Sequence, residues 1–170
     1  MIIAETKRLL ISKVTIKDAP FFLELMNSPK WLKYIGDRNI KSLKDAEENI
    51  KNGHLKSYSD NGFGFYKVLL KEENNKTIGT AGLIKRDQLD DVDIGFGFLP
   101  EYESKGFGYE TSVEIIKLAK DVFKLKKIVA ITNPDNTNSI KLLEKLGLVF
   151  EKRVNPFDEE KELLLFAKKL

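Results

Sequence analysis

The 170-residue sequence contains no cysteine and only one histidine. Without cysteine, the chain has no disulfide, no thiolate ligand for a metal and no thiol nucleophile of its own. The single histidine, His54, excludes metal sites built on a pair of histidines. Because it stands among Lys51, Asn52 and Lys56, we expect its side chain to lie on the surface. The sequence therefore predicts no metal site.

A large net charge and long apolar runs are also absent. The chain has 29 basic and 26 acidic side chains and a net charge of +3, too small for a dedicated nucleic-acid-binding protein. No run reaches the roughly 18 apolar residues that span a membrane, and the first residues do not form a basic and apolar leader. We therefore expect a cytoplasmic protein without nucleic-acid or membrane partners.

Hydrophobic residues make up 42% of the chain, enough for one substantial core but not for two full domains. Because there is no repeat and no linker, we expect residues 1–170 to form a single domain. The apolar spacing predicts seven strand-like runs, at residues 8–13, 64–70, 77–85, 92–99, 127–132, 149–153 and 162–168. Helical spacing follows Thr15, Ser42, Gly108 and Asn136. This order predicts an α/β fold, with a mixed, mostly antiparallel sheet of six or seven strands flanked by about four helices.

The segment 96–109 carries the strongest functional signal, because a strand there ends at a glycine-containing turn that opens a helix. The first N–H groups of a helix have no partner within it and lie at the positive end of its dipole, so they bind anions such as a diphosphate. A Gly-x-Gly turn alone is also typical of simple close packing. A dinucleotide-binding fold would have a third glycine where this chain has Thr111, and the phosphate-binding loop of nucleoside triphosphatases is absent.

Several short segments follow one another in an order and spacing known from a group of enzymes: 5–10, 78–83, 93–96, 100–102, 105–110, 133–139 and 143–148. Together they resemble the GNAT N-acetyltransferase superfamily, and within it the ribosomal-protein N-terminal acetyltransferase branch. The resemblance covers nearly the whole chain. It implies the GNAT (acyl-CoA N-acyltransferase) fold, acetyl-CoA as the acetyl donor, and direct transfer to a primary amine without a metal.

The resemblance also implies a cofactor site in a V-shaped opening between strands 92–99 and 127–132. Main-chain groups of Phe96 and Phe98, beside a bulge that separates the two strands, would hold the pantetheine arm and polarise the thioester carbonyl. The turn would bind the diphosphate through Lys105, Gly106, Phe107, Gly108 and Tyr109. The later segment would contact the pantetheine arm and the sulfur through Asn133, Asn136 and Ser139. The chain departs from the family at Glu103 and Ser104. Lys105 can offset the Glu103 charge if Glu103 points to solvent, so we expect weaker cofactor affinity at worst and not loss of the site.

Two side chains are candidates for proton transfer. By resemblance Ser139 lies near the sulfur, where its hydroxyl could protonate the departing thiolate, and helix capping is its alternative role. Asp93 is the first candidate for the base that takes a proton from the amine, and Glu101 is the second. The alternative for Asp93 is an ordinary solvated charge in an acidic run.

The acceptor pocket is the least specified part of the site. Trp31 and Tyr34, between the two early helices, are candidates for its wall, since this region often forms that wall in relatives. Ordinary packing of aromatic rings between helices is the alternative. The acceptor would be a small-molecule or peptide amine, and the protein would be a monomer or a homodimer. A catalytically silent CoA-binding module of the same fold is the alternative function.

Overall fold

The computed structural model describes residues 1–170, and its centre is one eight-stranded sheet. The strands are β1 Ile2–Glu5, β2 Leu9–Lys13, β3 Phe65–Leu70, β4 Lys76–Ile84, β5 Val92–Phe98, β6 Lys127–Thr132, β7 Val149–Val154 and β8 Leu163–Lys169. They lie in the order β1-β2-β3-β4-β5-β6-β8-β7. All neighbouring strands are antiparallel except β5 and β6, which run parallel. The prediction of a mixed, mostly antiparallel α/β fold is confirmed.

The helices pack on both faces of this sheet. They are α1 Ala19–Leu25, α2 Pro29–Tyr34, α3 Leu43–Asn49, α4 Lys56–Asn61, α5 Phe107–Asp121 and α6 Thr137–Lys145. A π-helix, Ile50–Leu55, joins α3 to α4 in one continuous helical segment. The segment starts at a capping box, in which Ser42 Oγ accepts the N–H of Asp45 at 3.1 Å. None of the helices is both long and apolar enough to cross a membrane.

The main core consists of 29 buried apolar residues between the sheet and the helices. The longest helix, α5, contributes Ile115 and Ala119, which are four residues apart and so lie on the same helical face. Both are fully buried against the sheet. Complete burial of a side chain such as Ile115 contributes roughly 1.5–3 kcal/mol. This packing fixes the N-terminus of α5 beside the end of β5.

Helices α2 and α5 cover opposite faces of β5. Neighbouring residues of a strand point to opposite faces of a sheet. A Cβ added to Gly97 would lie 2.8 Å from the Trp31 ring of α2, whereas a Cβ on Gly108 of α5 would lie 3.8 Å from the Phe98 ring. Gly97 therefore lets α2 approach one face of the strand closely while α5 occupies the other.

Two short elements were missed by the sequence analysis. β1 is a four-residue edge strand with only two partly buried residues, so it shows no clear alternation of apolar and polar positions. It raises the strand count to eight, and the prediction of six or seven is wrong. The six-residue helix α2 starts at Pro29, where the sequence analysis predicted no helix. Proline is well suited to the first turn of a helix.

The prediction that His54 lies on the surface is also wrong. It belongs to the π-helix, and its ring centroid lies 4.7 Å from that of Phe22. Its Nδ1 is buried without a hydrogen-bond partner. Burial lowers the pKa of His54 to about 4, against a weaker opposing effect of Asp18. The imidazole is therefore neutral at pH 7 and packs as an aromatic ring.

Candidate active site at the separated strands

Strands β5 and β6 pair at one end only and then separate. Their parallel register contains two residue pairs, Val92 with Ile128 and Asp93 with Val129. β4 pairs with β5 as far as Phe98, in a regular register without the bulge that we expected. The predicted opening is confirmed, but it arises because the parallel pairing ends at Asp93.

The open edge of β5 presents main-chain groups to this gap. Leu99 N–H donates to Ile78 C=O at 3.0 Å, so the main-chain groups of Leu99 face β4. Successive residues of a strand direct these groups to alternate edges, which turns those of Phe96 and Phe98 towards the gap. Main-chain groups without a partner must bond to water or to a ligand. The two positions predicted to contact the cofactor are therefore the ones with free donors and acceptors.

A turn after β5 leads into the N-terminus of α5. Ser104 and Gly106 have positive φ angles of 60° and 83°, and Gly106 is the N-cap of α5. This conformation favours glycine, and Ser104 adopts it at some steric cost. The first main-chain bond of the helix runs from Glu110 N–H to Gly106 C=O at 3.1 Å. The N–H groups of residues 107–109 have no helical partner and form a surface suited to an anion.

Arg8, just before β2, holds this helix start in place. Its Nε lies 2.7 Å from Glu110 Oε1, and its Nη1 donates to the Lys105 carbonyl at 3.1 Å. Its guanidinium also stacks 4.3 Å from the centroid of the Phe107 ring. Partial burial tends to raise the pKa of Glu110, but hydrogen bonds from Thr6 and Arg8 outweigh burial and lower it. Glu110 is therefore ionised at neutral pH, and the clamp is an ion pair.

Glu103, the acidic residue at the start of the turn, is paired with a residue from α2. Its Oε2 lies 2.6 Å from Nζ of Lys30. Glu103 therefore turns towards α2 and not towards solvent, so the condition under which Lys105 would offset its charge is not met. Lys105 is exposed, and its Nζ lies 5.8 Å from the centroid of the Tyr102 ring. The negative charge of Glu103 is therefore neutralised by Lys30 of α2, which covers the face of β5 opposite α5.

The two asparagines after β6 make structural contacts. Asn136 is the N-cap of α6, and its Oδ1 accepts the N–H of Ser139 at 3.3 Å. Asn133 donates from Nδ2 to the Tyr34 carbonyl at 2.8 Å, which ties α2 to the end of β6. Asn136 Oδ1 therefore caps α6, and the Ser139 hydroxyl does not.

Ser139 lies on the side of α6 that faces α5. It precedes Leu142 by three residues, so the two share one face of the helix. A Cβ added to Gly108 would lie 3.2 Å from Leu142 Cδ2, which brings this face of α6 against the first turn of α5. Ser139 itself is partly exposed. Ser139 therefore lies on the face of α6 that packs against the first turn of α5.

Asp93 is buried at the last paired position of β5, with 3% of its surface exposed. The alternative of a solvated charge is therefore wrong. Its Oδ2 accepts from Arg86 Nε at 2.9 Å. Burial raises the pKa of Asp93 to about 6, although Arg86 acts to lower it. A carboxylate with a pKa near neutrality is suited to proton transfer. Glu101, the second candidate, is exposed in a short 3-10 helix after β5.

The aromatic residues of α2, which are the candidates for the acceptor wall, lie on the face of β5 opposite α5. The Trp31 ring packs on Gly97, and its buried Nε1 has no hydrogen-bond partner. Tyr34 is partly buried at the end of α2 and is held to β6 through its carbonyl. The two residues therefore bracket the gap, Trp31 on the β5 side and Tyr34 on the β6 side.

A depression of about 490 Å³ lies beside the anion-binding turn. It is lined by nine residues, namely Thr6, Lys7, Arg8, Gly106, Tyr109, Glu110, Val113, Glu114 and Lys145. The Lys145 Nζ lies 4.3 Å from the centroid of the Tyr109 ring. A second cavity, of about 290 Å³, lies between the β4–β5 loop and β7 and contains no candidate residue.

Three residues of this site were missed by the sequence analysis: Arg8, Lys30 and Glu110. Arg8 and Glu110 fall within segments 5–10 and 105–110, which we had used only for the family resemblance. Their ion pair joins residues 102 positions apart, so spacing along the chain could not reveal it. No sequence signal singled out Lys30, one of 29 basic residues.

Sequence comparison identifies N-acetyltransferases that are similar to most of this chain. The N-acetyltransferase p20 of Bacillus licheniformis, itself uncharacterised, is 26% identical over 161 residues, which are 94% of this chain and 89% of the relative. The uncharacterised N-acetyltransferase YnaD of Bacillus subtilis (strain 168) is 29% identical over 143 residues, 84% of this chain and 80% of the relative.

Solved structures of acetyltransferases have the same fold. A GNAT-family acetyltransferase from Bacillus anthracis superposes with a TM-score of 0.80 at 25% identity, covering 99% of this chain and 98% of that chain. The ribosomal-protein acetyltransferase RimL in complex with coenzyme A gives 0.85 at 13% identity, covering 100% and 98%. A family model described as the acetyltransferase (GNAT) domain matches residues 8–149. This match spans most of the chain, and the structure has the separated strands beside a glycine turn that the family resemblance implied. The protein therefore belongs to the GNAT family and is an N-acetyltransferase.

Proposed function

We propose that the protein transfers the acetyl group of acetyl-CoA directly to a primary amine held on the α2 face of β5. The observation that carries this proposal is the early end of the β5–β6 pairing. It leaves the main-chain groups of Phe96 and Phe98 free, next to the unpaired N–H groups of residues 107–109. The first set fits the amides and thioester of an acylated pantetheine arm, and the second fits its diphosphate.

The chain has further groups for the ends of such a donor. Asn136 keeps its Nδ2 for the pantetheine arm while its Oδ1 caps α6, and Asn133 stands at the mouth of the gap. The depression beside the turn offers Lys7 and Lys145 to the nucleotide end. The main-chain donors are fixed by the sheet and by helix α5, so they need no reorganisation when charge develops on the thioester oxygen.

Direct transfer requires two proton movements, and the chain has a residue for each. As the amine nitrogen bonds to the carbonyl carbon, it loses a proton, and Asp93 is our candidate base, acting through a water molecule. As the carbon–sulfur bond breaks, the thiolate takes a proton, for which the Ser139 hydroxyl is our candidate donor. The main-chain N–H groups of Phe96 and Phe98 would stabilise the oxyanion between these two events.

Trp31 and Tyr34 are our candidates for the acceptor wall. The Trp31 ring packs on Gly97, on the face of β5 from which an amine would approach, and its Nε1 is buried without a hydrogen-bond partner. A buried donor without a partner costs stability unless a ligand or water satisfies it. A peptide or a small molecule with a hydrogen-bond acceptor near its amine would satisfy it.

The test combines binding and activity. Calorimetry should detect binding of coenzyme A, and thiol release should detect acetyl transfer from acetyl-CoA to members of a panel of small amines and peptides with free N-termini. Absence of coenzyme A binding at high micromolar concentration would refute the proposed site. Binding without transfer to any amine would instead favour the silent CoA-binding module.

A further inference from the structure

Helix α2 connects both sides of the gap with the turn that precedes α5. The Trp31 ring packs on β5 at Gly97, and the Tyr34 carbonyl accepts from Asn133 after β6. The third contact is the ion pair of Lys30 with Glu103, at 2.6 Å. Helix α2 thus reaches the proposed acceptor side and the proposed diphosphate turn at once.

Glu103 is an unfavourable residue for a turn that binds a diphosphate. It lies three residues before Gly106, the N-cap of α5, and a free carboxylate there would repel the anion. Arg8, which contacts the turn through the Lys105 carbonyl, is paired with Glu110. Lys105 is exposed and is not paired with Glu103. Lys30 is the residue that removes this repulsion, because it is the ion-pair partner of Glu103.

We propose that Lys30 is a positioning residue for the donor, which acts by neutralising Glu103 and drawing its carboxylate towards α2. This inference rests on the proposed binding of the diphosphate at residues 107–109. Lys30 acts through Glu103 and does not need to touch the donor. It also makes the position of α2, and with it Trp31, part of the donor site.

The size of the effect follows from Coulomb's law. A free carboxylate at roughly 8 Å from a doubly charged diphosphate, in a medium close to water, weakens binding about fivefold. Salt screens such an interaction, because the Debye length is about 8 Å at physiological ionic strength and about 3 Å at 1 M. The effect should therefore largely disappear at high salt.

The experiment is a double-mutant cycle read by ligand binding. Coenzyme A would be titrated by calorimetry, and pantetheine, which lacks the diphosphate, by the shifts of amide resonances. The variants are Lys30→Ala, Glu103→Gln and the double variant, with Lys33→Ala as the control on the same helix. Circular dichroism would establish that each variant is folded.

We expect Lys30→Ala to weaken coenzyme A binding about fivefold at low salt and to leave pantetheine binding unchanged. The double variant should bind coenzyme A about as well as the unmodified protein, because the repelling carboxylate is removed together with the cation that neutralises it. A double variant as weak as Lys30→Ala would overturn the proposal, as would equal losses for pantetheine and coenzyme A. Failure of the unmodified protein to bind coenzyme A would instead refute the proposed function itself.

Discussion

Replacing Asp93 with asparagine should stabilise the folded protein at pH 8, although it removes one partner of an ion pair. Asp93 is 3% exposed, and burial raises its pKa from 3.8 to about 6 even with Arg86 at 2.9 Å. Compared with the unfolded state, the folded state therefore favours the neutral form of the Asp93 carboxyl group. Asparagine is neutral at every pH and keeps an oxygen that can accept from Arg86. Arg86 is 20% exposed and retains contact with water.

The expected gain depends on pH in a definite direction. Because the pKa of Asp93 is higher in the folded state, its contribution to stability is fully present below about pH 4 and is lost as the pH rises to about 6. A shift of about two pKa units corresponds to about 3 kcal/mol at neutral and alkaline pH. Asp93→Asn avoids this loss. The free energy of unfolding of Asp93→Asn minus that of the unmodified protein should therefore be about 2 kcal/mol larger at pH 8 than at pH 4.5.

Urea denaturation of both proteins at pH 4.5 and pH 8 measures this difference directly. Asp91→Asn is the matched control, because Asp91 lies two residues away and its contact with Lys127, at 3.5 Å, is partly exposed. The control should change the free energy of unfolding by less than about 0.5 kcal/mol at both values. If Asp93→Asn is instead less stable at pH 8 by several kcal/mol, the ion pair outweighs burial and the reasoning is refuted.

Three further predictions concern activity and binding. Ser139→Ala should lower kcat about 10- to 100-fold with little change in the Kd for coenzyme A, because only the departing thiolate needs its proton; unchanged turnover in a steady-state assay would remove Ser139 from catalysis. Arg8→Ala releases Glu110 and the Lys105 carbonyl, so it should lower the free energy of unfolding in urea by about 1–2 kcal/mol and weaken coenzyme A binding. Equal affinity in calorimetry would show that the turn holds its shape without the clamp. Trp31→Phe keeps the packing on Gly97 but removes Nε1, so it should raise KM for the amine severalfold and leave the Kd for coenzyme A unchanged; an unchanged KM in a kinetic assay would leave Trp31 a packing residue only.

Local patterns in the sequence were sufficient to predict most of the fold. The alternation in β3, where every second residue is buried, and the helical spacing of α5 both follow from one apolar face per element. The glycine turn was predictable because Gly106 needs a positive φ and stands where strand spacing changes to helical spacing. The elements missed, β1 and α2, have only four and six residues, too few to show a period.

The contacts between distant charges were not predictable in the same way. Lys30 pairs with Glu103 and Arg8 with Glu110, but each charge has many possible partners in a chain with 29 basic and 26 acidic side chains. The burial of Asp93 was missed for a related reason. It lies within the predicted strand 92–99, but it also follows Asp90 and Asp91 in an acidic run that is typical of a solvated loop. Its burial comes from contacts that are distant from this run, the pairing with β6 and the bond from Arg86.

The donor site proposed here depends mainly on the main chain, and this determines which parts of the function a sequence can reveal. Free N–H and C=O groups at Phe96, Phe98 and residues 107–109 do not depend on the side chains at those positions. What they require is a strand that loses its partner and a turn that tolerates positive φ, as at Ser104 and Gly106. Relatives at 26–29% identity can therefore retain the family's chemistry while most side chains differ. Recognition of the acceptor would have no such main-chain signature. In our proposal it depends on side chains such as Trp31, and changes at such positions could alter the substrate without altering the fold.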